Sequence, residues 1–168
     1  MELTIVPGRD ILQINDARIT FRNFRGEADD YNDAGNRRFS VIIPSIELAE
    51  MLQENVNSYG AGWNVKINPP REDGGDPFIH LPVKVKYTDR SQPNVYLTSG
   101  SKTVKLTEDT IDMLDNIDIR SVDLDIRPFD GETRGKAFRA AYLQSIWVTQ
   151  EVDRFESRFA EEEYPEEY

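Results

Sequence analysis

Residues 79–87 alternate without a break: Ile79, Leu81, Val83, Val85 and Tyr87 are apolar or aromatic, and His80, Pro82, Lys84 and Lys86 stand between them. A two-residue period places the first set on one side of an extended chain and the second on the other, so the segment is a strand with one buried face. The pattern recurs. Ile11–Phe24 reads as a long first strand, with Ile19 and Phe21 on one face and Arg18, Thr20, Arg22 and Phe24 on the other. Residues 26–36, rich in Gly, Asp and Asn, form a hairpin loop, and Arg37–Ile43 returns as a strand stopped by Pro44. Ser45 caps a short helix over Ile46–Asn55, with Ile46, Leu48, Ala49, Met51 and Leu52 on one apolar face.

Trp63–Ile67 alternates as a third strand, with Trp63 as a core residue. Val95–Thr98 and Thr103–Leu106 follow as short strands about Ser99-Gly100-Ser101. Thr107 caps a second short helix ending near Asn116. Ile119–Phe129 alternates again, burying Val122, Leu124 and Ile126; residues 131–135 turn the chain, and Lys136–Thr149 is a last long strand. The sum is about eight strands and two short helices. The class is mostly β, with a barrel or sandwich closing the sheet edges.

A chain of 168 residues with 38% hydrophobic residues builds one core of ordinary size. Residues 1–152 are expected to be that domain, and residues 153–168 an acidic flexible tail. No apolar run approaches a membrane span and no secretion leader opens the chain, so no membrane partner is expected. Cysteine is absent, which excludes disulfides and thiolate sites and fits a reducing setting, the cytoplasm.

The net charge is −11, a value that by itself argues against nucleic acid. Its placement changes that reading. Residues 151–168 carry eight acids (Glu151, Asp153, Glu156, Glu161, Glu162, Glu163, Glu166 and Glu167) against Arg154 and Arg158, a net of −6, which leaves −5 for the other 150 residues. The body is only mildly acidic. A purely solvating tail needs no aromatic rings, yet Tyr164 and Pro165 interrupt the acids and Tyr168 ends the chain. Glu161, Glu162, Glu163, Tyr164, Glu166, Glu167 and Tyr168 therefore form a candidate partner-binding segment, a ring for a pocket and carboxylates for a basic rim.

The bases of the body gather on strand faces beside rings. Arg18, Arg22 and Arg25 accompany Phe24; Lys84 and Lys86 share one face, with Lys66 on another strand; Arg134, Lys136 and Arg139 flank Phe138 and Tyr142 at the final hairpin. Cations that follow phosphates and rings that stack on unpaired bases are the requirements of a single-stranded nucleic-acid groove. These twelve residues are the DNA-binding candidates.

Catalytic signatures do not emerge. The chain lacks a phosphate-binding Walker loop, a dinucleotide glycine motif and a nucleophile elbow. Asp30, Asn32 and Gly35 suggest a calcium loop, but Ala34 and Val41 occupy ligand positions. Asp112, Asp115 and Asp118 read as the solvated face of a helix. Asp123 and Asp125 on one strand face are the sharpest enzymatic alternative, since paired carboxylates hold Mg²⁺ for phosphodiester cleavage, but no lysine base accompanies them. His80, the single histidine, reads as a surface residue. No enzyme, cofactor or metal is expected.

The stretches ARITFRNFRGEADDYNDAGNRRFSVIIP, ELAEMLQENV, GWNVKINPPRED and HLPVKVKY resemble a family of small phage proteins that bind single-stranded DNA. The later IRSVDLDIRPFDGETRGKAFRAAYLQSIWVT is similar to that family's closing hairpin, so the resemblance covers about residues 10–150. It implies an OB-like barrel, sequence-independent binding and protection of single-stranded DNA in phage replication or recombination, and a tail that recruits replication or recombination proteins. The chain departs from bacterial relatives by ending on Tyr168 and by lacking a long Gly/Gln linker. A homo-oligomer is compatible with this reading. The alternatives are a virion structural or adaptor β-protein, and an acidic DNA mimic.

Overall fold

The computed structural model describes residues 1–152; the expected acidic tail, with its partner-binding candidates, lies outside the described residues. The strict alternation of the central segment becomes β6 (Phe78–Val85), with Ile79, Leu81, Val83 and Val85 buried. Around it run β1 (Glu2–Val6), β2 (Ile11–Ala17), β3 (Ile19–Asn23), β4 (Arg37–Ile42), β5 (Lys66–Asn68), β7 (Asn94–Ser99), β8 (Lys102–Leu106), β9 (Ile119–Thr133) and β10 (Lys136–Gln150). The described residues thus hold ten strands where about eight were expected. The addition at the start is β1, which forms an antiparallel hairpin with β2.

The hydrogen-bonded order is β1-β2-β9-β10-β6-β4-β3, with β5 on β6 and with β7 joining β10 to β8. β2 pairs with β9 and β3 pairs with β4, yet only Arg18 separates β2 from β3. The strand next to one end of the path, β2, therefore runs directly into β3 at the other end, and the fold is OB-like, mostly β. The expected single strand Ile11–Phe24 is bent into two. The cause is a register shift between Ile14 and Ala17, with Asp16 left-handed at φ 54° and its N–H bonded to Asp123 Oδ1 at 2.8 Å. An extra residue of this kind bends a strand and swings it from one half of a barrel to the other.

The core is one cluster in which Leu12, Ile14, Phe39, Val41, Leu81, Val83, Leu124, Ile126 and Ile146 meet, with Phe24 stacked on Phe39 at 5.0 Å between ring centres. The α-helix α1 (Ile46–Glu54) starts where Ser45 accepts the N–H of Leu48 at 3.2 Å, and it contributes Ala49 and Leu52 to that core. After α1 the chain folds back so closely that a Cβ on Gly62 would lie 2.0 Å from the carbonyl oxygen of Gln53. This return buries Trp63 as expected, but the strand starts later, at Lys66; Trp63 itself makes only a bridge to Arg139.

The expected second helix shrinks to a 3-10 helix, Ile111–Asp115. Thr107 does not cap it with its hydroxyl. Its carbonyl accepts the N–H groups of Thr110 and Ile111, while its own N–H donates to Thr110 Oγ1, a closed turn that uses up the first helical residues. The final hairpin turns at Arg134-Gly135 alone, both left-handed at φ 54° and 77°, as a two-residue turn joining right-twisted strands requires. Gly131 belongs to β9, and a Cβ there would lie 2.7 Å from the Phe138 ring.

Candidate nucleic-acid interface

Cross-strand partners share a face, so the register defines what the outside of the barrel presents. Arg38 on β4 lies opposite Lys84 on β6, Lys84 opposite Tyr142 on β10, and Tyr142 opposite Arg127 on β9. One row of three bases and a ring therefore crosses four strands. Its neighbours on β4 and β6 are buried on the inner face (Phe39, Val41, Val83 and Val85), so the row points away from the core.

Aromatic clusters stand on either side of this row. Phe129 stacks on Tyr142 with ring centres 4.6 Å apart and planes 5° apart, and the Arg127 guanidinium lies 5.0 Å from the Tyr142 ring centre. Phe138 packs beside Phe129 at 6.1 Å, over Gly131. At the other end Phe21, Phe78 and His80 form a triangle with ring-centre separations of 6.0, 5.4 and 5.1 Å. Phe21 is 61% exposed and its backbone is left-handed, φ 51°, at the register shift between Thr20 and Asn23. The bulge carries Phe21 round to the outer face, opposite to the side that simple alternation assigns it. His80 accepts or donates a 2.9 Å bond between Nδ1 and Ser40 Oγ. Burial first, and then the nearby Lys66 ammonium, hold its imidazole below the ordinary value, so the ring is neutral at pH 7.

Three clefts connect along this face. The first, about 650 Å³, is lined by Phe21, Tyr31, Arg38 and His80 with Arg22 and Arg25. Arg38 also lines the second, about 440 Å³, together with Lys84 and Lys86 and with Asp29, Asp30 and Asp33, and its guanidinium lies 3.8 Å from Asp29. Lys84 in turn lines the third, about 540 Å³, with Lys136 and Phe138. The result is a track of bases and rings from β3 to the tip of the final hairpin.

The sequence candidates divide against this frame. Lys66, Lys84, Arg134 and Lys136 are exposed, and Lys86, Phe138 and Tyr142 are half-buried along the track or its ends. Lys66 pairs with His80, which puts it beside the aromatic triangle. Arg18 is exposed but lines a separate cleft with Arg22 and Arg120. Arg22 donates from Nη1 to the carbonyls of Leu114 and Ile117, both at 2.7 Å, and Arg25 pairs with Asp115 at 3.2 Å.

Two candidates are corrected outright. Phe24 is fully buried against Phe39, because β3 ends at Asn23 and Asp115 accepts the Phe24 and Arg25 N–H groups, turning the ring inward; it cannot stack on a base. Arg139 is 3% exposed. Its guanidinium donates to Asp130 at 2.8 and 3.2 Å, to Asp10 at 3.1 Å and to Asn55 Oδ1 at 2.6 Å, and it lies 5.4 Å from the centre of the Trp63 ring. It locks the β1–β2 turn, the end of α1 and β9 together. Burial would raise the Asp130 carboxyl, but hydrogen bonds from Arg139 and Asn57 and the adjacent guanidinium outweigh it and hold Asp130 below the usual carboxylate range.

The carboxylate pairs singled out in the sequence have structural work as well. Asp123 supports the bend at Asp16, and Asp115 holds the end of β3. Burial raises the Asp125 carboxyl. Among the described residues no three His, Asp or Glu side chains converge as a metal site requires. No described helix is long and apolar enough to cross a membrane.

Sequence reasoning missed Phe21, Arg38, Phe78, Arg127 and Phe129, and took His80 for an isolated surface residue. Arg38, Arg127 and Phe129 carried a usable signal, since they alternate with Phe39, Ile126 and the rest of the inner face. Phe21 carried none, because a bulge moved it.

No curated protein matches the chain. Solved structures of the single-stranded DNA-binding protein from bacteriophage Enc34 share the fold. The one in complex with ssDNA superposes at a TM-score of 0.55 with 12% identity, covering 91% of this chain and 93% of that one. A C-terminal truncation of the same protein gives 0.53, also at 12% identity, over 90% and 91% of the two chains. The family model described as "Putative phage ssDNA-binding domain" matches residues 5–167, nearly the whole sequence. The chain belongs to the phage ssDNA-binding domain family.

Proposed function

We propose that this protein binds single-stranded DNA without sequence preference, along the outer face that runs from the Phe21–Phe78–His80 triangle through Arg38 and Lys84 to Tyr142, Phe129 and Lys136. The observation that carries this reading is the in-register row Arg38, Lys84, Tyr142, Arg127 with a stacked aromatic cluster at each end. Guanidinium and ammonium groups meet phosphates, and the rings meet bases whose faces are available only when unpaired. Among the described residues no basic helix suited to a major groove accompanies them; α1 carries Glu47, Glu50 and Glu54 and no base. Family membership supports the same reading, as does the Enc34 protein solved with ssDNA.

The protein acts by covering and protecting the strand, without catalysis, during phage replication or recombination. Its acidic segment, Glu161–Tyr168, recruits replication or recombination proteins. The test is a salt series comparing oligo(dT) with duplex of the same length. Affinity for the single strand should exceed that for duplex and fall steeply as salt rises. Equal affinities, or indifference to salt, would overturn the proposal.

A further inference from the structure

β10 is twice as long as most strands of the sheet, and two different strands share one of its edges. β6 pairs with it at Ala141 and Tyr142, and β7 takes over from Ser145 to Thr149. The outer face of the second half repeats the chemistry of the first. Asp123, Trp147, Tyr96 and Lys105 are in register across β9, β10, β7 and β8. Trp147 and Tyr96 lie with ring centres 6.0 Å apart and planes 11° apart, and the Lys105 ammonium is 5.9 Å from the Tyr96 ring centre. This matches the Phe129–Tyr142 stack with Arg127 beside it. Ile146 and Val148 are buried, so Trp147 points outward, and it is 43% exposed.

We propose that Trp147, Tyr96 and Lys105 form a second base-stacking platform, which a single strand of DNA reaches after leaving Tyr142. The proposal rests on the function given above and extends its site. Continuity argues for DNA as the occupant: both platforms lie on the outer face of one strand, five residues apart, about 15 Å along β10 at the usual rise. Charge sets the strand's orientation there. Asp123 and Asp125 repel phosphates on the β9 side, and Lys105 on β8 attracts them on the other, so the backbone follows β8 and the bases face Trp147. A protein partner on the same rings is the competing occupant, and the test separates the two.

The chain has two tryptophans, and Trp63 is 2% exposed but lines the third cleft, so the quenching that Trp147→Phe removes is the signal that reports on Trp147. Full-length protein is titrated with fluorescein-labelled oligo(dT) of about 6 and about 20 nucleotides, bracketing the roughly 4–16 nucleotides that one OB fold covers. Dye anisotropy reports binding, and tryptophan emission reports contact with the platform. The expected result is binding of both lengths, with strong quenching by the longer alone. Trp147→Phe should abolish the quenching. Trp147→Ala should weaken the longer oligonucleotide about tenfold and leave the shorter unchanged. Binding without quenching at either length, quenching that persists in Trp147→Phe, or normal affinity of Trp147→Ala for the longer strand would overturn the platform and leave the face to a protein partner. Absence of any anisotropy change would instead overturn single-strand binding itself.

Discussion

Two arginines that look alike in the sequence sit in opposite physical situations. Arg38 projects from the outer face beside Lys84, whereas Arg139 is enclosed by Asp10, Asn55, Asp130 and Trp63. Lys84→Ala should therefore lower the salt slope of oligo(dT) binding by about 0.7, the value for one phosphate contact on a single strand, with the melting temperature nearly unchanged. Arg139→Ala leaves carboxylates without their cation. It should cost about 3–5 kcal/mol of stability, read by denaturant unfolding, and any binding loss should follow the loss of folded protein. The same network sets a pH dependence. Asp130 is depressed in the folded protein, so its contribution to stability is complete above the unfolded carboxyl value near 3.9 and fades as pH falls through the lower folded value. Melting temperature should drop in that acid window, and Asp130→Asn should flatten the drop. Phe21 offers the sharpest separation of folding from binding. Its left-handed backbone suits glycine, so Phe21→Gly should keep or raise the melting temperature. Loss of the ring should still weaken oligo(dT) binding by about 1–3 kcal/mol.

At the level of elements, legibility in the sequence followed how each element is stabilised. β6 and the inner faces of β9 and β10 were readable because burial on one side imposes a period of two, and burial is a property of composition. The bend between β2 and β3 was not. It depends on Asp123, more than a hundred residues away, accepting the Asp16 N–H, and no local pattern announces that partner. The Phe24 assignment failed for the same reason: period counting carried the strand past Asn23, while Asp115 turns the chain inward there. Trp63 was correctly placed in the core but credited with a strand it does not join, because its burial comes from the return over α1 at Gly62. Much of the candidate site was legible on β6 and β10, where Lys84, Lys136 and Tyr142 alternate with core residues. The aromatic triangle was not, since Phe21 reaches Phe78 and His80 across β4 only because the bulge in β3 turns its ring to the outer face. The turn makes one element-scale prediction. Gly135→Val puts a β-branched residue at φ 77°, so it should destabilise the final hairpin and lower the melting temperature by several degrees.

For the molecule as a whole, the distribution of charge decides what the net charge conceals. The chain carries −11, of which −6 belongs to residues 151–168, so a mildly acidic body presents Arg38, Lys84 and Lys86 on one face, with Asp29, Asp30 and Asp33 beside them, while α1 holds Glu47, Glu50 and Glu54 elsewhere. An acidic segment tethered to a body with a cationic face is present at high effective concentration, and each of its contacts is weak and screened by salt. The expectation is that this segment and DNA compete for the basic face. Deleting residues 161–168 removes five glutamates and the terminal ring. The truncated protein should bind oligo(dT) more tightly at low salt, by severalfold, and the gain should vanish as salt approaches several hundred millimolar, where the screening length is only a few ångströms. It should also fail to retain replication or recombination proteins from infected-cell extract, while a Tyr168→Phe variant, which keeps a terminal ring, should retain them. Unchanged DNA affinity at every salt together with intact partner capture would assign the segment to solubility alone, and aggregation of the truncated protein would then be its only phenotype.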